Sequence, residues 1–249
     1  MIQGIYVQGK KVDLDRARRL AEQFETEIIS KLPEDKFAKY FVFDKSGITF
    51  VAGKQELKGD FTRLLPRITK GHLQHEILLK VANQGALERV GELRGVDCTA
   101  GLGEDSFLLA AGGYHMELYE HNPVTAVLLG DALIRAKSHP DLKEIAKRMT
   151  LRVGDSKELL EKLSYQPDLI YLDPMYPEKK KSGESKKKLQ VLHQIETPCS
   201  DEIQLVWAAI ERKPQKIIIK RPPEGPYLAG MKPNYSVKRK AVRFDCLVF

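Results

Sequence analysis

Residues 93–107 read Leu93-Arg94-Gly95-Val96-Asp97-Cys98-Thr99-Ala100-Gly101-Leu102-Gly103-Glu104-Asp105-Ser106-Phe107. A strand-like run ending in an acid, a turn with two glycines and a helix-forming run make one β-loop-α unit. Gly101 and Gly103 let the backbone turn sharply and let a ligand come close. The helix that follows offers unpaired N–H groups at its start. Outward from this unit the pattern repeats. Strand-like runs fall at 93–98, 115–120, 149–154, 168–173 and 216–220, with helix-like runs near 104–112, 123–138, 156–163 and 200–212 between them. Strands alternating with helices predict βαβ units around a mostly parallel sheet, an α/β fold. The tail 240–249 is a β-type run with no helix after it, and is expected to pair antiparallel at the sheet's edge.

The first ninety residues read differently. Asp13 to Phe24 has helical spacing, with Leu14, Ala17, Leu20, Ala21 and Phe24 apolar and Asp13 as N-cap. Tyr40–Phe43 and Ile48–Val51 flank Asp44-Lys45-Ser46-Gly47 as a hairpin. Residues 73–89 read as helix. We therefore expect a small N-terminal α/β appendage over 1–70 and a main domain over 71–249, entered through a helix.

Composition bounds the function. The chain has 249 residues, with 41 Lys+Arg against 34 Asp+Glu, a net charge of +7, which suits nucleic acid without requiring it. Hydrophobic residues at 42% are enough for a packed core and exclude disorder as the main state. No apolar run approaches the ~18–20 residues that span a bilayer, and the N-terminus lacks a signal-peptide core. A cytoplasmic protein with no membrane partner is expected. Cys98, Cys199 and Cys246 are too scattered for a disulfide framework or a cysteine zinc site. His72 and His75 stand three apart, but no acid or cysteine grouping completes a metal site; they read as structural or surface residues, and no metal is expected.

The glycine loop is not a dinucleotide fingerprint, which would place a third glycine where Ser106 stands. Glu104 and Asp105 also stand where a pyrophosphate would sit. They suit a cationic ligand without phosphate, such as S-adenosylmethionine. Glu120 ends the next strand, 23 residues after Asp97, where an acid accepts from ribose hydroxyls. His121 is a candidate to pack on adenine. Asp155 and Ser156 end the third strand, either as a helix N-cap or as partners of the adenine amino group.

Asp173-Pro174-Met175-Tyr176-Pro177 follows the strand Leu169–Leu172. It is a variant of the acid-Pro-Pro-aromatic motif of methyltransferases acting on amino nitrogens. An exocyclic amine on a base is a poor nucleophile because its lone pair is delocalised into the ring. The Asp173 carboxylate and the Pro174 carbonyl can accept its two N–H groups and favour a pyramidal nitrogen. Tyr176 can stack on the extruded base. Lys179, Lys180, Lys181, Lys186, Lys187 and Lys188 follow at once, with Lys220 and Arg221 at the end of the next strand. These are candidate phosphate contacts.

On these motifs the chain resembles the ribosomal RNA small-subunit methyltransferase J family, which methylates the N2 amine of a guanine in small-subunit ribosomal RNA. The matching segments are residues 97–107, Glu120-His121-Asn122-Pro123-Val124, Tyr171 to Pro177 with the lysine run, Lys220-Arg221-Pro222 and Arg243-Phe244-Asp245. The resemblance implies a class I, Rossmann-like fold with a seven-stranded sheet. It also implies that Glu104, Asp105, Glu120, His121, Asp155, Ser156 and Asp173 line an S-adenosylmethionine site. The partner implied is ribosomal RNA or the small ribosomal subunit. Glu104 in place of a basic residue, and a 66–85 segment without a Gly-rich basic stretch, are departures expected of a divergent branch. The motifs leave open DNA or another RNA amine as substrate, and a non-catalytic RNA-binding protein of the same fold. They do not give the target nucleotide or the oligomeric state.

Overall fold

The structure, a computed structural model, describes residues 1–9, 12–84, 91–174 and 201–249. Two sheets share one helix. The first sheet is built from β1 (Ile5–Val7), β2 (Ile28–Ile29), β3 (Lys39–Asp44), β4 (Gly47–Ala52) and β5 (Gln55–Leu57), in the order β2-β1-β3-β4-β5. The expected hairpin is β3–β4, closed at Asp44 and Gly47, with the Asp44 carboxylate accepting from the Ser46 N–H at 2.7 Å. Helix α1 (Leu14–Gln23) starts at Asp13, whose side chain accepts from the Arg16 N–H, and it buries Ala17, Leu20 and Ala21 against this sheet. Leu14, read as part of that face, is half-exposed.

A 3-10 turn at Phe61–Leu64 leads into two single turns, α2 (Leu65–Ile68) and α3 (Lys70–Leu73), and then into α4 (Ile77–Asn83). The helix expected over 73–89 is thus interrupted, because Glu76 is extended at φ −60°, ψ 119°, and residues 85–90 lie outside the described ones.

The second sheet contains β6 (Arg94–Asp97), β7 (His115–Glu120), β8 (Met149–Val153), β9 (Leu169–Leu172), β10 (Lys216–Arg221), β11 (Tyr235–Lys238) and β12 (Arg243–Val248). Its order is β11-β12-β10-β9-β6-β7-β8, with β6 to β10 parallel and the last two antiparallel. This is the mostly parallel seven-stranded α/β sheet expected from the sequence. The tail does pair antiparallel, but β12 lies one strand in from the edge. The edge itself is β11, a four-residue strand too short and too alternating in burial to stand out among its neighbours. The intervening helices are α5 (Glu104–Ala111), α6 (Pro123–Lys137), α7 (Lys143–Ala146), α8 (Ser156–Glu161) and α9 (Glu202–Glu211).

Helix α6 starts cleanly. The Asn122 side chain accepts from the N–H groups of Val124 and Thr125, and Pro123 takes the first turn, where no N–H is needed. Its apolar residues point two ways. Val124 and Leu128 join the core of the first sheet, while Leu129, Ala132, Leu133 and Ala136 join the core against the second. A helix apolar on most sides is one buried on most sides. Its one buried acid, Asp131, has to be paired there. The carboxylate accepts from the Ile48 N–H at 3.0 Å and from Arg135 Nε at 2.8 Å, and lies 2.9 Å from Arg16 Nη1. One side chain therefore joins α1, β4 and α6.

Asp131→Ala should leave two arginines and a backbone N–H without their acceptor and cost about 3–5 kcal/mol. Asp131→Asn, which keeps one acceptor, should cost less. Urea unfolding followed by circular dichroism measures both; equal stability of Asp131→Ala and wild type would show that the sheet–helix junction does not depend on this carboxylate.

Candidate active site

The sheet reverses its winding at β6. The chain runs outward through β7 and β8, then returns to place β9 and β10 on the other side. The crevice beyond the carboxyl ends of β6 and β9 is where open α/β sheets take ligands. Parallel pairing brings Asp97, the glycine loop and Asp173 together there: the Cys98 N–H donates to the Tyr171 carbonyl at 3.1 Å and the Asp173 N–H donates to Thr99 Oγ1 at 2.6 Å.

Asp97 fastens the loop. One of its oxygens accepts from the Thr99 N–H at 2.9 Å and the other from the Ser106 hydroxyl at 2.5 Å. Glu120 ties the end of β7 to the same loop, accepting from the Gly101 N–H at 2.8 Å and the Asn122 N–H at 2.7 Å. The two glycines serve different purposes. At Gly101 (φ +54°) the nearest atom to an added Cβ is 3.9 Å away, so its face is open. At Gly103 (φ +74°) a Cβ would come within 2.7 Å of Leu129 Cδ1, so this glycine allows α5 and α6 to pack.

Lys220 anchors the other wall. Its ammonium donates to Asp105 at 2.6 Å and to Asp173 at 2.9 Å, while Tyr171 Oη donates to Asp105 at 2.6 Å. The Lys220, Asp105 and Asp173 side chains keep 32%, 25% and 37% of their surface exposed, so they line an open crevice. Both acids feel burial first; at Asp105 it is outweighed by Lys220 together with the Tyr171 hydroxyl and Arg67, whereas at Asp173 burial and the neighbouring Asp105 charge prevail over Lys220. Asp105 titrates below the usual carboxylate range and Asp173 above it, and the two carboxylates hold the Lys220 ammonium well above its ordinary value. Asp97 and Glu120 are more deeply enclosed, and burial pushes each up to about 7 against the hydrogen bonds they accept.

The remaining expected site residues lie as follows. Pro174 is buried directly after Asp173. Glu104 opens α5, half-buried. The His121 ring is mostly exposed, 3.6 Å from Glu120 Oε1. Asp155 caps α8 by accepting from the Lys157 N–H, and the Ser156 hydroxyl donates to the Cys98 carbonyl at 2.6 Å. Lys220 and Arg221, expected as phosphate contacts, are both engaged within the protein. Lys220 is held between two carboxylates, and Arg221 is 3% exposed with Nε donating to the Pro226 carbonyl. Tyr176 and lysines 179–181 and 186–188 lie outside the described residues. The sequence reading missed Thr99, Ser106 and Tyr171 as structural members of the site. The one available signal was a phenol inside the otherwise aliphatic Leu169-Ile170-Tyr171-Leu172.

This donor set fits S-adenosylmethionine. Carboxylates dominate, the Gly101 backbone is open, and the nearby lysine is already neutralised by acids. Among the described residues no group of His, Cys, Asp and Glu could hold a metal ion, and no helix is long and apolar enough to cross a membrane.

Residues 53–249 match a family model for a SAM-dependent methyltransferase. Ribosomal RNA small subunit methyltransferase J of Neisseria gonorrhoeae is 33% identical over 234 residues, covering 93% of this chain and 92% of the relative. The protein of the same name from Nitrosococcus oceani is 40% identical over 152 residues, covering 60% of each. The crystal structure of a SAM-dependent methyltransferase from N. gonorrhoeae superposes with a TM-score of 0.75 at 29% identity, covering 99% of this chain and 96% of that one.

Asp97 and Glu120 give the fold a pH signature. The stability they support as neutral acids is fully present below their ordinary values of 3.8 and 4.5 and is lost as pH rises through about 7. Asp97→Asn, neutral at every pH, should therefore gain on wild type as pH rises from about 5 to 8, by roughly 2–4 °C in Tm for each kcal/mol. Thermal melts of the unliganded protein measure this. The same offset at both pH values would mean that Asp97 titrates normally.

Proposed function

The chain belongs to the ribosomal RNA small subunit methyltransferase J family of S-adenosylmethionine-dependent methyltransferases, and from that premise we propose that it methylates the exocyclic N2 amine of a guanine in small-subunit ribosomal RNA. The observation that carries this reading is the strand-end constellation: Asp173 and Pro174 beside the glycine loop, with Asp173 held in place by Lys220. We also take residues 71–249 as the catalytic domain and 1–70 as an appendage to it, with the cytoplasm, where ribosomal RNA is assembled into subunits, as the place of action.

S-adenosylmethionine supplies an electrophilic methyl group on a sulfonium. The residues placed to hold it are Glu120, with a second lone pair on each oxygen for ribose hydroxyls, the open backbone at Gly101, and the carboxylates of the crevice for its positive charge. His121 and Asp155 flank the adenine side in this assignment. The protein's own contribution to the chemistry is positioning. Lys220 occupies Asp173 Oδ2, and Oδ1, which no hydrogen bond among the described residues engages, is the oxygen assigned to accept one N–H of the target amine. The Pro174 carbonyl accepts the other. Thr99 Oγ1 accepts from the Asp173 N–H and fixes the backbone between them. Two acceptors on one nitrogen draw both hydrogens aside and direct the lone pair toward the methyl group. The proton leaves the alkylated nitrogen toward Asp173, whose carboxyl already titrates above its usual range.

Single-turnover methyl transfer to small-subunit RNA, with cofactor and RNA saturating, tests the assignment. Asp173→Ala should slow transfer by roughly 100-fold, the scale of losing one preorganised hydrogen-bonding group at a reacting centre. Asp173→Asn, which keeps one acceptor, should lose less. Lys220→Met removes the cation that favours ionised Asp173, so the acidic limb of its pH–rate profile should move to higher pH. Nucleoside analysis of the product should give N2-methylguanosine. A wild-type rate in Asp173→Ala would sink the mechanism, and label entering DNA but no RNA would sink the substrate.

A further inference from the structure

A cleft of about 460 Å³ lies between the 66–77 segment and the tip of the β11–β12 hairpin, lined by Pro66, Arg67, His72, His75, Ile77 and Arg239, with Glu76 beneath. The sequence reading left His72 and His75 as structural or surface residues. The cleft contains none of the residues assigned above to cofactor or amine, yet it adjoins them: the Arg67 guanidinium is within electrostatic reach of Asp105 and Glu104.

Its chemistry is mixed in a specific way. Pro66 and Ile77 supply apolar wall. Arg67 is held rigid and neutralised by a two-pronged pair with Glu76, Nε and Nη2 each 2.7 Å from a carboxylate oxygen. Its planar guanidinium is thus a fixed platform. The His72 ring is also fixed, with Nδ1 2.8 Å from the Pro66 carbonyl. A carbonyl can only accept, so Nδ1 carries the hydrogen and Nε2 is left to other partners. Arg239 differs from Arg67. It is exposed on the hairpin tip, its Nη1 donates only to the neighbouring Lys238 carbonyl, and it has no ion pair among the described residues. An exposed arginine with no ion pair among the described residues, beside flat, half-apolar walls, suits a ligand with an anionic end and a flat ring. Bases stack on arginine and histidine planes, and phosphates take the free guanidinium.

We propose that this cleft binds a nucleotide of the RNA substrate neighbouring the methylated one, with Arg239 on its phosphate and the His72, His75 and Arg67 planes against its base. The inference rests on the reading of this chain as an RNA methyltransferase and names a subsite that reading does not contain. The cleft holds the strand while the target base is out of its stack over Asp173.

The test is fluorescence-anisotropy titration of the full chain with a small-subunit RNA fragment, in the presence of S-adenosylhomocysteine and across a salt series. Arg239→Ala should weaken binding by about tenfold and reduce the slope of log K against log salt by about 0.7. His72→Ala/His75→Ala should weaken it by about fivefold or more, the scale of one lost stacking contact, without altering the slope. Calorimetric affinity for S-adenosylhomocysteine should be untouched in both. Arg19→Ala, on the exposed side of α1, is the control for general charge loss and should bind as wild type. If wild type methylates small-subunit RNA while the cleft variants bind it with unchanged affinity and slope, the inference is overturned and the proposed function stands. If the variants lose affinity for assembled subunits but not for the naked RNA, the cleft contacts a protein and the inference is overturned. If wild type methylates no small-subunit RNA, the reading of function fails and the subsite fails with it.

Discussion

The Lys220 ammonium between Asp105 and Asp173 is the contact on which the arrangement of the crevice depends. The fold delivers carboxylates to one place from different elements: Asp97 at the end of β6, Asp105 in the first turn of α5, Asp173 after β9. Like charges this close in a partly desolvated crevice repel strongly. A cation stabilises such a group, and β10, beside β9, supplies one in Lys220. The register of β10 on β9, with Ile218 opposite Tyr171 and Ile219 opposite Leu172, places Lys220 one step beyond, beside Asp173. From β9 itself the Tyr171 hydroxyl donates to Asp105. One charge therefore organises two acids, and the two shift in opposite directions because Asp105 also has the Tyr171 hydroxyl and Arg67 against its burial, while Asp173 has the Asp105 charge added to its own.

The first sheet reaches the site through α6. That helix begins three residues after Glu120 and is buried on most sides, with one face in each core. Leu102, inside the glycine loop, packs into the core of the first sheet with Val124 and Leu128. The loop is thus held from both ends: by Asp97 and Glu120 through hydrogen bonds, and by Leu102 through apolar packing against the N-terminal part. On the other side the stacked Phe61–Phe107 pair, with ring centroids 4.5 Å apart, fixes the start of the 61–77 segment to α5. A cofactor loop fastened in this way needs little rearrangement to receive its ligand, which favours affinity by limiting the ordering required on binding.

The parallel strands were readable because burial on both faces forces near-continuous apolar runs such as Leu169–Leu172 and Ile217–Ile219. The glycine loop and the Asp-Pro turn were readable because each directly follows a strand-like run and the two occur in one alternating β/α pattern, although either alone is common in ordinary turns. Short elements were not. β1, β2, β5 and β11 have between two and four residues, too few for a period to show. The surroundings of Lys220 and Arg221 were not legible for a related reason: a charge at a strand end normally faces water, and only the fold sets Lys220 between two carboxylates and buries Arg221. Asp155 carried two readings in the sequence, and its side chain caps α8.

The sequence by itself determined the fold class, the order of the strands along the chain, the place of the glycine loop and the acid that follows β9. These are local: each is a pattern over about ten neighbouring residues, and periodicity, turn chemistry and composition are properties of neighbours. Tertiary structure decided what each charge does. Asp131 needs Arg16, Arg135 and the Ile48 amide, Asp105 needs Lys220, and the 66–77 cleft needs Arg239 from the far end of the chain. The energy of a charge in a protein depends on burial and on partners a few ångströms away. Those partners are separated along the chain by anything from four residues to more than a hundred and sixty, so only the folded chain brings them together.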